Sequence, residues 1–467
     1  IVDLDGTLLM TDSLVELFWL ILRISPTMAL RALRLLVCEG RLQFKNYLAQ
    51  ASEPKIAHWP WNEAVLNRAR KAREAGVKTV LLTASDQRLA ELVQAEIGLF
   101  DEVAGSDGSV NLKGPMKAQW ILDRYAGWHV TYIGDSSIDV PVWEISDHAV
   151  GVGINPRTVT SVRGSTEFLP SGSNYGISGL FYAMRPHQWL KNSLLLLPLL
   201  LAQVSDVSAY LEVIIGFVIF SMIASGVYLL NDLLDIDRDR AHPRKRFRPI
   251  ASGELSIPGA IVASLVCVVF GLIAAASIDV GFAMCVATYV ALTSAYSFGV
   301  KQYPWVDIVL LASLYTWRIV SGAVLVDLPI SGWLVMFSLV FFLALAALKR
   351  YADLIDRALI GSTDNYGRGY ELVDQPRLRA VTLISMASAI VVFVVYLQAM
   401  STLVLYPDVD WLFFVVVALA LWLYRMWRVT IDGLMHDDPL VFAVRDPLSW
   451  ALGFIVVACM GLAGAWS

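Results

Sequence analysis

Residues 209–239 read AYLEVIIGFVIFSMIASGVYLLNDLLDIDRD, an apolar run that ends in a cluster of aspartates. A helix needs about 20 predominantly apolar residues to cross the hydrocarbon core of a bilayer, and residues 209–230 supply that length. The polar end carries Asn231 and four aspartates within nine residues. This stretch therefore predicts a membrane helix with a carboxylate cluster at one end.

The composition of the whole chain also indicates a membrane protein. Its 467 residues are 57% hydrophobic and 16% charged, whereas soluble domains average about 45–50% apolar and about 25% charged residues. This balance excludes an ordinary soluble enzyme, a disordered chain and a coiled coil. The net charge of −5 argues against nucleic-acid binding, which requires a basic surface. The four cysteines lie far apart without a CxxC pair, so neither a disulfide framework nor a thiolate zinc site is expected.

Apolar runs recur beyond residue 178 and predict an all-α bundle of about nine transmembrane helices over residues 181–467. The loops between the runs alternate, since one set is rich in Lys and Arg and the other set has aspartates as its only charged residues. The positive-inside rule then places the basic loops and the N-terminal region in the cytoplasm. The runs are residues 192–204, 209–230, 255–277, 280–297, 304–326, 330–348, 379–401, 409–424 and 448–466.

Residues 1–165 have a different pattern, in which short β-rich runs ending in polar turns alternate with helical stretches. This alternation predicts a soluble α/β domain with a parallel, doubly wound sheet. Residues 166–180 contain Ser, Gly and Pro without periodicity and are expected to form a linker. The chain begins at Ile1 inside an expected strand, so we expect the natural N-terminus to lie upstream. The other expected strands include residues 78–83, 130–133 and 149–154.

Two aspartates follow the first apolar run, in Asp3-Leu4-Asp5-Gly6-Thr7. Carboxylates at the carboxyl end of a parallel strand lie in the crevice where open α/β sheets bind ligands. Asp3 is then a candidate nucleophile toward phosphorus, with Asp5 as the acid and base. An Asp-Gly turn without catalytic function is the alternative interpretation. Thr83, a strand-end hydroxyl that can hold a phosphate oxygen, and the ammonium of Lys117 (or Lys113) favour phosphoryl transfer.

Asp135 and Asp139 follow another strand and, together with Asp3, predict a Mg²⁺ site. In this order, each at a strand end, the four motifs resemble those of the haloacid dehalogenase (HAD) superfamily of phosphatases. The resemblance implies a Rossmann-like parallel sheet in which Asp3 accepts the phosphoryl group, Asp5 is the acid and base, and Asp135 helps to bind Mg²⁺. It also implies that residues 13–73 form a helical cap that screens substrates.

Asp232, Asp235 and Asp239 share one helical face if the helix continues through them. Converging carboxylates repel one another unless they share a cation, and oxygen-rich clusters suit Mg²⁺. Arg246 and Arg248 follow in a basic stretch, and cations beside a Mg²⁺ cluster predict a diphosphate site. The alternatives are a solvated helix end for the aspartates and the positive-inside rule alone for the arginines.

Further polar residues are expected at the same membrane face or inside a span. Arg318 lies inside an expected span, where ionisable residues are functional candidates, and Asp307 is a candidate partner for it. Snorkelling is the alternative explanation for Lys349 and Arg350. The candidate substrate ligands are Lys191, Asn192, Asn231, Arg246, Arg248, Tyr296, Lys301, Arg318, Lys349, Arg350 and Asp353.

The pattern Asn-Asp-x-x-Asp-x-x-x-Asp at a membrane helix end, with about nine spans, resembles the UbiA superfamily of intramembrane prenyltransferases. Residues 185–192, 241–250 and 349–353 are similar to its decaprenyl-phosphate phosphoribosyltransferase branch. That similarity implies transfer of 5-phosphoribose from phosphoribosyl diphosphate to a polyprenyl phosphate. The branch usually has Glu at the position of Asp353, and the second Asp-x-x-x-Asp cluster of aromatic prenyltransferases is not obvious in this chain.

The shared chemistry of these enzymes is the loss of diphosphate from carbon, which Mg²⁺ on the three aspartates, aided by Arg246 and Arg248, would stabilise. Lys191 and Asn192 are expected to hold the attacking lipid phosphate, and the HAD-like domain is expected to remove the 5-phosphate of the product. The main alternative is transfer of a polyprenyl chain from its diphosphate to an aromatic acceptor, with a regulatory HAD-like domain. A transporter is disfavoured because the polar residues gather at one membrane face rather than at the midplane.

Overall fold

The computed structural model describes residues 1–107, 110–159, 164–170, 176–360, 369–399, 406–435 and 438–464. The chain divides into two compact units. The first unit contains Ile1–Ala183 together with Asp232–Val262, and the second contains Met184–Asn231 and Ala263–Ser467. The expected linker, residues 166–180, lies partly outside the described residues.

The first unit contains a parallel sheet, which confirms the α/β class expected for the N-terminal part of the chain. Val2 forms bridges with both Leu81 and Ile133, so the start of the chain lies between two groups of strands at the centre of the sheet. Residues 166–169, expected in the linker, belong to the last strand. The strands pair in parallel and are Val80–Asp86, Glu102–Ser106, Thr131–Gly134, His148–Val152 and Ser165–Leu169.

The first helix, Ser13–Ile24, begins where the Asp12 side chain accepts hydrogen bonds from two backbone N–H groups of the first turn. Those N–H groups have no partner within the helix, so the side chain stabilises the helix start. Leu17 and Ile21 are buried in the core of the unit. The other α-helices of this part are Pro26–Cys38, Arg41–Ala51, Glu63–Glu74, Gln87–Ile97, Pro115–Arg124, Val140–Ile145 and Gly176–Ala183.

The described residues of the remainder of the chain are mostly helical, which agrees with the polytopic membrane bundle that the sequence predicts. Among the described residues, seven helices are long and apolar enough to span a bilayer, and the pair Pro439–Arg445 and Pro447–Ala463, bent by 90°, makes an eighth candidate. The count of nine differs at the first expected span, where the 3₁₀ stretch Pro186–Leu196 is followed only by the short helix Leu197–Leu201. The seven helices are Val207–Leu234, Ile257–Ile278, Val280–Phe298, Val306–Leu325, Gly332–Leu359, Leu372–Leu397 and Asp410–Ile431.

The aspartate-rich stretch lies where the first of these long helices ends. The helix stops before Asp235, whose φ of −93° and ψ of 7° are not helical, and the short helix Ile236–Ala241 follows. The continuous helical face expected for Asp232, Asp235 and Asp239 is therefore interrupted at its middle member. We call residues 232–241 the acidic segment.

Candidate functional site

Three carboxylates meet at the carboxyl edge of the parallel sheet. One oxygen from each of Asp3, Asp135 and Asp139 lies within 4.8 Å of the other two, and no other such group of three occurs among the residues that the structure describes. Gly6 has a φ of +72°, and a Cβ at this position would lie 2.2 Å from Asp135 Oδ2. The close approach of Asp135 therefore requires glycine at position 6. Three converging carboxylate oxygens are a donor set that fits Mg²⁺.

Lys117 lies between two of these carboxylates. Its Nζ is 2.8 Å from Asp3 Oδ1 and 3.5 Å from Asp139 Oδ1, and its side chain is 3% exposed. The ammonium also donates to the Tyr132 hydroxyl at 3.0 Å, and that hydroxyl donates to Asp139 Oδ1 at 2.9 Å. This network fixes a positive charge beside the candidate nucleophile, where it can offset negative charge on a phosphoryl group.

Burial and crowding shift the pKa values in this cluster. Burial raises the pKa of Asp3 above its ordinary value, and the charge of Lys117 opposes this shift. Burial, reinforced by the charge of Asp139, raises the pKa of Asp135 to about 6. Burial also disfavours the ammonium of Lys117, but the neighbouring carboxylates outweigh it and raise the pKa of that group. Crowded carboxylates in a buried site resist ionisation. A divalent cation bound between them would offset their repulsion and favour their ionised forms.

Asp5 lies beside this cluster and is oriented by the first helix. Its Oδ1 accepts a hydrogen bond from the backbone N–H of Ser13 at 2.7 Å, and its Oδ2 accepts one from the Ser85 hydroxyl at 2.7 Å. Thr83 is fully buried, and its Oγ1 accepts a hydrogen bond from the backbone N–H of Ser85 at 3.0 Å. Ser85 thus joins the expected acid and base to the expected phosphate-binding hydroxyl.

In the acidic segment, two carboxylates converge on one guanidinium. Arg248 Nη1 lies 3.1 Å from Asp232 Oδ1 and 2.5 Å from Asp239 Oδ2, and the two carboxylate side chains are 3% and 4% exposed. Asp235 faces Arg238 at 3.5 Å. Burial raises the pKa of Asp239, and Arg248 opposes the shift. Asp232 and Asp239 therefore converge on a cationic group, and their oxygens are donors of the kind that Mg²⁺ prefers.

Three further candidate ligands lie either shortly after the acidic segment in the chain or near the ends of membrane helices. The guanidinium of Arg246 lies 4.8 Å from the ring centroid of Phe247. Lys301 Nζ lies 3.5 Å from Asn231 Oδ1. The structure therefore brings Lys301 and Asn231 together, as two residues of the same compact unit.

Two lysines and a tyrosine converge on Asp438 in the second unit. Lys191 Nζ lies 2.7 Å and Lys349 Nζ 3.4 Å from Asp438 Oδ2, and the Tyr315 hydroxyl donates to the same oxygen at 3.1 Å. We call these four residues the lysine pocket. They line a cavity of about 130 Å³, so two cations share one carboxylate beside an open space.

Arg350, which also lines this cavity, is held by a second acidic partner. Its Nε lies 2.5 Å from Asp307 Oδ2, and its Nη2 lies 2.9 Å from Asp307 Oδ1. The Tyr296 hydroxyl donates to Asp307 at 2.8 Å, and Arg350 Nη1 lies 3.2 Å from Asp353 Oδ2. These contacts engage all three nitrogens of the guanidinium and orient it within the bundle.

Asp307 was the expected partner of Arg318, and the structure assigns Arg318 different partners. Arg318 donates to Asn192 Oδ1, to the Tyr289 hydroxyl and to the backbone oxygen of Leu314, at 2.9, 2.9 and 2.8 Å. Neutral acceptors therefore surround this buried cation. Its contact with Asn192 anchors the 3₁₀ stretch that also carries Lys191.

A large apolar cavity lies in the second unit. Its volume is about 790 Å³, and it is lined by residues that include Phe337, Phe341, Trp422 and Leu440. Leu440 also lines the cavity of the lysine pocket. The unit therefore contains a polar cavity and an apolar cavity that have Leu440 in common.

Comparison with known families explains both sets of motifs. The family model for haloacid dehalogenase-like hydrolases matches residues 1–144. The model for the UbiA prenyltransferase family matches residues 193–443, which is more than half of the chain. The chain belongs to the UbiA prenyltransferase family. It carries a HAD-like domain fused in front of the UbiA-type membrane domain.

Several relatives resemble all or part of this UbiA family member. The uncharacterized protein y4nM of Sinorhizobium fredii is 36% identical over 99% of this chain and 90% of its own length. The decaprenyl-phosphate phosphoribosyltransferase of Mycolicibacterium smegmatis is 33% identical over 62% of this chain and 92% of its own length. A solved UbiA homolog from Archaeoglobus fulgidus bound to GPP and Mg²⁺ is 14% identical, with a TM-score of 0.45, over 61% of this chain and 98% of that one.

Sequence reasoning missed several residues that this UbiA family member brings into its candidate sites. Tyr132 could have been found from strand alternation, because it lies two residues before Gly134 and faces the same side of the sheet. Asp438 precedes a proline in a basic loop, but only the fold brings it to Lys191. Tyr315 lies in an apolar helix and carries no local signal.

Proposed function

We propose that the membrane domain transfers 5-phosphoribose from phosphoribosyl diphosphate to a polyprenyl phosphate. The observation that carries this proposal is the lysine pocket, where two cations share one carboxylate beside a large apolar cavity. A polyprenyl phosphate has the two matching features, an anionic head and a long apolar tail. The similarity to a decaprenyl-phosphate phosphoribosyltransferase supports this pair of substrates.

In this proposal the lipid phosphate replaces Asp438 as the partner of Lys191 and Lys349. A phosphate offers more charge and more acceptor oxygens than a carboxylate, so it competes well for the same donors. The Tyr315 hydroxyl supplies a third donor. The apolar cavity accommodates the first isoprene units, whose burial adds to affinity in proportion to apolar area. These side chains bind and orient the attacking phosphate.

The acidic segment binds the phosphoribosyl donor. An oxygen of the lipid phosphate forms a bond to ribose C1, and the bond from C1 to the diphosphate oxygen breaks, its electron pair leaving with the diphosphate. Asp232 and Asp239 are the residues that would hold Mg²⁺, which when bound supplies charge stabilisation for the leaving diphosphate. Arg248 contributes donors for diphosphate oxygens.

The HAD-like domain is proposed to remove the 5-phosphate from the lipid-linked product. Asp3 attacks phosphorus, the bond to ribose O5 breaks, and Asp5 donates a proton to that oxygen. Water then hydrolyses the aspartyl phosphate, and Asp5 accepts its proton. Lys117 and Thr83 bind phosphoryl oxygens during both steps. The positive-inside pattern of the loops supports a cytoplasmic location for this domain and for the acidic segment.

Isotope transfer tests the proposed substrates. Membranes that contain the chain are supplied with ribose-labelled phosphoribosyl diphosphate and a polyprenyl phosphate, and labelled lipid is expected. A matched reaction contains a labelled polyprenyl diphosphate and an aromatic acceptor, and it is expected to give no product. Membranes with Asp232→Asn and Asp239→Asn are the control for both reactions. Product only in the second reaction would replace this proposal with aromatic prenyl transfer.

A further inference from the structure

One face of the first helix contacts the end of a membrane helix. Glu16, Trp19 and Arg23 are three and four residues apart, a spacing that places their side chains on one side of a helix. Trp19 Nε1 donates to the backbone oxygen of Leu233 at 3.0 Å, and Arg23 Nη1 donates to that of Leu234 at 3.1 Å. The last carbonyl groups of a helix have no partner inside it, so these two side chains cap the helix where the acidic segment begins.

The third residue of this face, Glu16, forms a buried bidentate ion pair with Arg240. The two distances are 2.7 and 3.0 Å, and the side chains are 5% and 2% exposed. Arg240 Nε also donates to the backbone oxygen of Ala251 at 3.0 Å. Because a buried charge without a partner is strongly unfavourable, Glu16 fixes the position of Arg240. Asp239, the neighbour of Arg240 in the chain, is one of the two carboxylates that share Arg248.

The first helix and the residues just before it make further contacts with residues 237–253. Arg23 also forms an ion pair with Asp237 inside the acidic segment. Farther along, a Cβ on Gly253 would lie 2.9 Å from Thr11 Cγ2, so the chain packs closely against the residues just before the first helix. The same helix begins at Ser13, whose backbone N–H donates to Asp5. One short helix therefore supports a candidate phosphatase residue at its start and the acidic segment along its side.

We propose that Glu16 is a positioning residue for the transferase reaction. Through Arg240 it holds Asp239 and Arg248 in the arrangement that binds Mg²⁺ and the diphosphate of the donor. This inference rests on the proposed function of the acidic segment. It gives the HAD-like domain a second role, in which its first helix completes the support of another active site.

The test uses Glu16→Gln, which keeps the size of the side chain but removes its charge and replaces one of its two acceptor oxygens with an NH₂ donor. The matched control is Glu167→Gln, which removes an ion pair with Arg68 (2.6 Å) elsewhere in the same unit. Hydrogen exchange of the backbone amides of residues 236–253 is followed in the purified full chain while Mg²⁺ is added in the presence of inorganic diphosphate. The Mg²⁺ dependence of lipid labelling is measured on the same preparations.

Glu16→Gln is expected to raise the Mg²⁺ concentration needed for half-maximal protection from exchange by about tenfold or more, the usual cost of losing support behind a metal ligand. The same shift is expected in the labelling reaction, with a rate at saturating Mg²⁺ close to that of the wild type. Arg240→Met should reproduce the effect, and the double variant should add nothing to it, because both residues act through one contact.

The inference would be overturned if protection from exchange had the same Mg²⁺ dependence in Glu16→Gln and Glu167→Gln. Additive effects of Glu16→Gln and Arg240→Met would also overturn it. Faster exchange with an unchanged Mg²⁺ requirement would limit Glu16 to a structural role and also overturn it. The exchange measurement does not require the correct transfer substrates. If Glu16→Gln shows the expected shift in Mg²⁺-dependent protection but the wild-type chain labels no lipid, the proposed function is contradicted and the positioning contact remains supported.

Discussion

Lys191 and Asp438 are 247 residues apart in the chain, and their side chains meet at 2.7 Å in the wall of a polar cavity. Lys191 belongs to the 3₁₀ stretch Pro186–Leu196, and Asp438 precedes the short helix Pro439–Arg445. Lys349 shares the same carboxylate oxygen. In the proposed function, an incoming lipid phosphate competes with the Asp438 carboxylate for these two lysines.

Lys191→Met is expected to weaken use of the polyprenyl phosphate. Methionine keeps most of the apolar part of the side chain but cannot donate to a phosphate, and a hydrogen bond to a charged group contributes about 1.5–3 kcal/mol. The kcat/KM for the lipid should fall by about tenfold to a hundredfold. Arg428→Met is the control, since Arg428 is half-exposed and lies 3.9 Å from Asp432. Equal activities of the two variants in a lipid-labelling titration would show that Lys191 does not bind the lipid phosphate.

Asp438→Asn is expected to lower the KM for the polyprenyl phosphate, because the neutral amide no longer competes for the two lysines. The same substitution should lower the thermal stability of the free protein, since it leaves buried cations with a weaker partner. Added lipid phosphate should restore part of that stability by mass action. Asp432→Asn, at an exposed ion pair, is the control. A higher KM in Asp438→Asn would show that the carboxylate helps to bind substrate rather than competing with it.

Gly6→Ala is expected to abolish the hydrolysis of phosphate monoesters by the HAD-like domain. The added Cβ would lie 2.2 Å from Asp135 Oδ2. A Cβ added at Gly76, which has a φ of +73°, would have no neighbouring atom within 4 Å. Both alanines adopt a left-handed conformation at a cost of about 1–2 kcal/mol. Gly76→Ala therefore controls for backbone strain. Mg²⁺-dependent hydrolysis of p-nitrophenyl phosphate that survives in Gly6→Ala would contradict the assignment of Asp135 to the metal site.

Asp3→Asn is expected to retain transfer and to accumulate lipid-linked ribose that still carries its 5-phosphate. The amide is a poor nucleophile toward phosphorus, so the proposed second reaction stops before the phosphoryl group leaves the sugar. Wild-type membranes should contain mainly the dephosphorylated lipid. Chromatography of the two lipids before and after alkaline phosphatase treatment distinguishes them. The same product distribution in wild type and variant would separate the HAD-like domain from this reaction sequence.

The architecture of both domains could be predicted from local patterns. Apolar runs of spanning length predict the membrane bundle, and carboxylates at the ends of parallel strands predict that Asp3 and Asp135 share one edge of the sheet. The helix break at Asp235 could not be predicted from spacing alone, because it depends on the chain that packs against the helix end. The partners of Arg318 and Asp307 also required the fold, since each binds residues from other helices.

Ion pairs between residues far apart in the chain could not be predicted from the sequence. Asp438 joins two lysines across most of the membrane domain, and Glu16 joins Arg240 across 224 residues. Neither pairing follows from periodicity or motif spacing. A buried charge requires a partner, but the fold decides which residue that partner is.

The mass of the lipid product decides whether 5-phosphoribose is transferred to a polyprenyl phosphate. Membranes containing the Asp3→Asn chain are incubated with phosphoribosyl diphosphate, Mg²⁺ and a polyprenyl phosphate of known length, and the extracted lipids are analysed by mass spectrometry. We expect a new lipid that is heavier than the acceptor by one 5-phosphoribosyl group and whose formation depends on Asp232, Asp239 and Lys191. An unchanged polyprenyl phosphate, with a prenylated aromatic product formed when prenyl diphosphate is supplied instead, would rule out phosphoribosyl transfer.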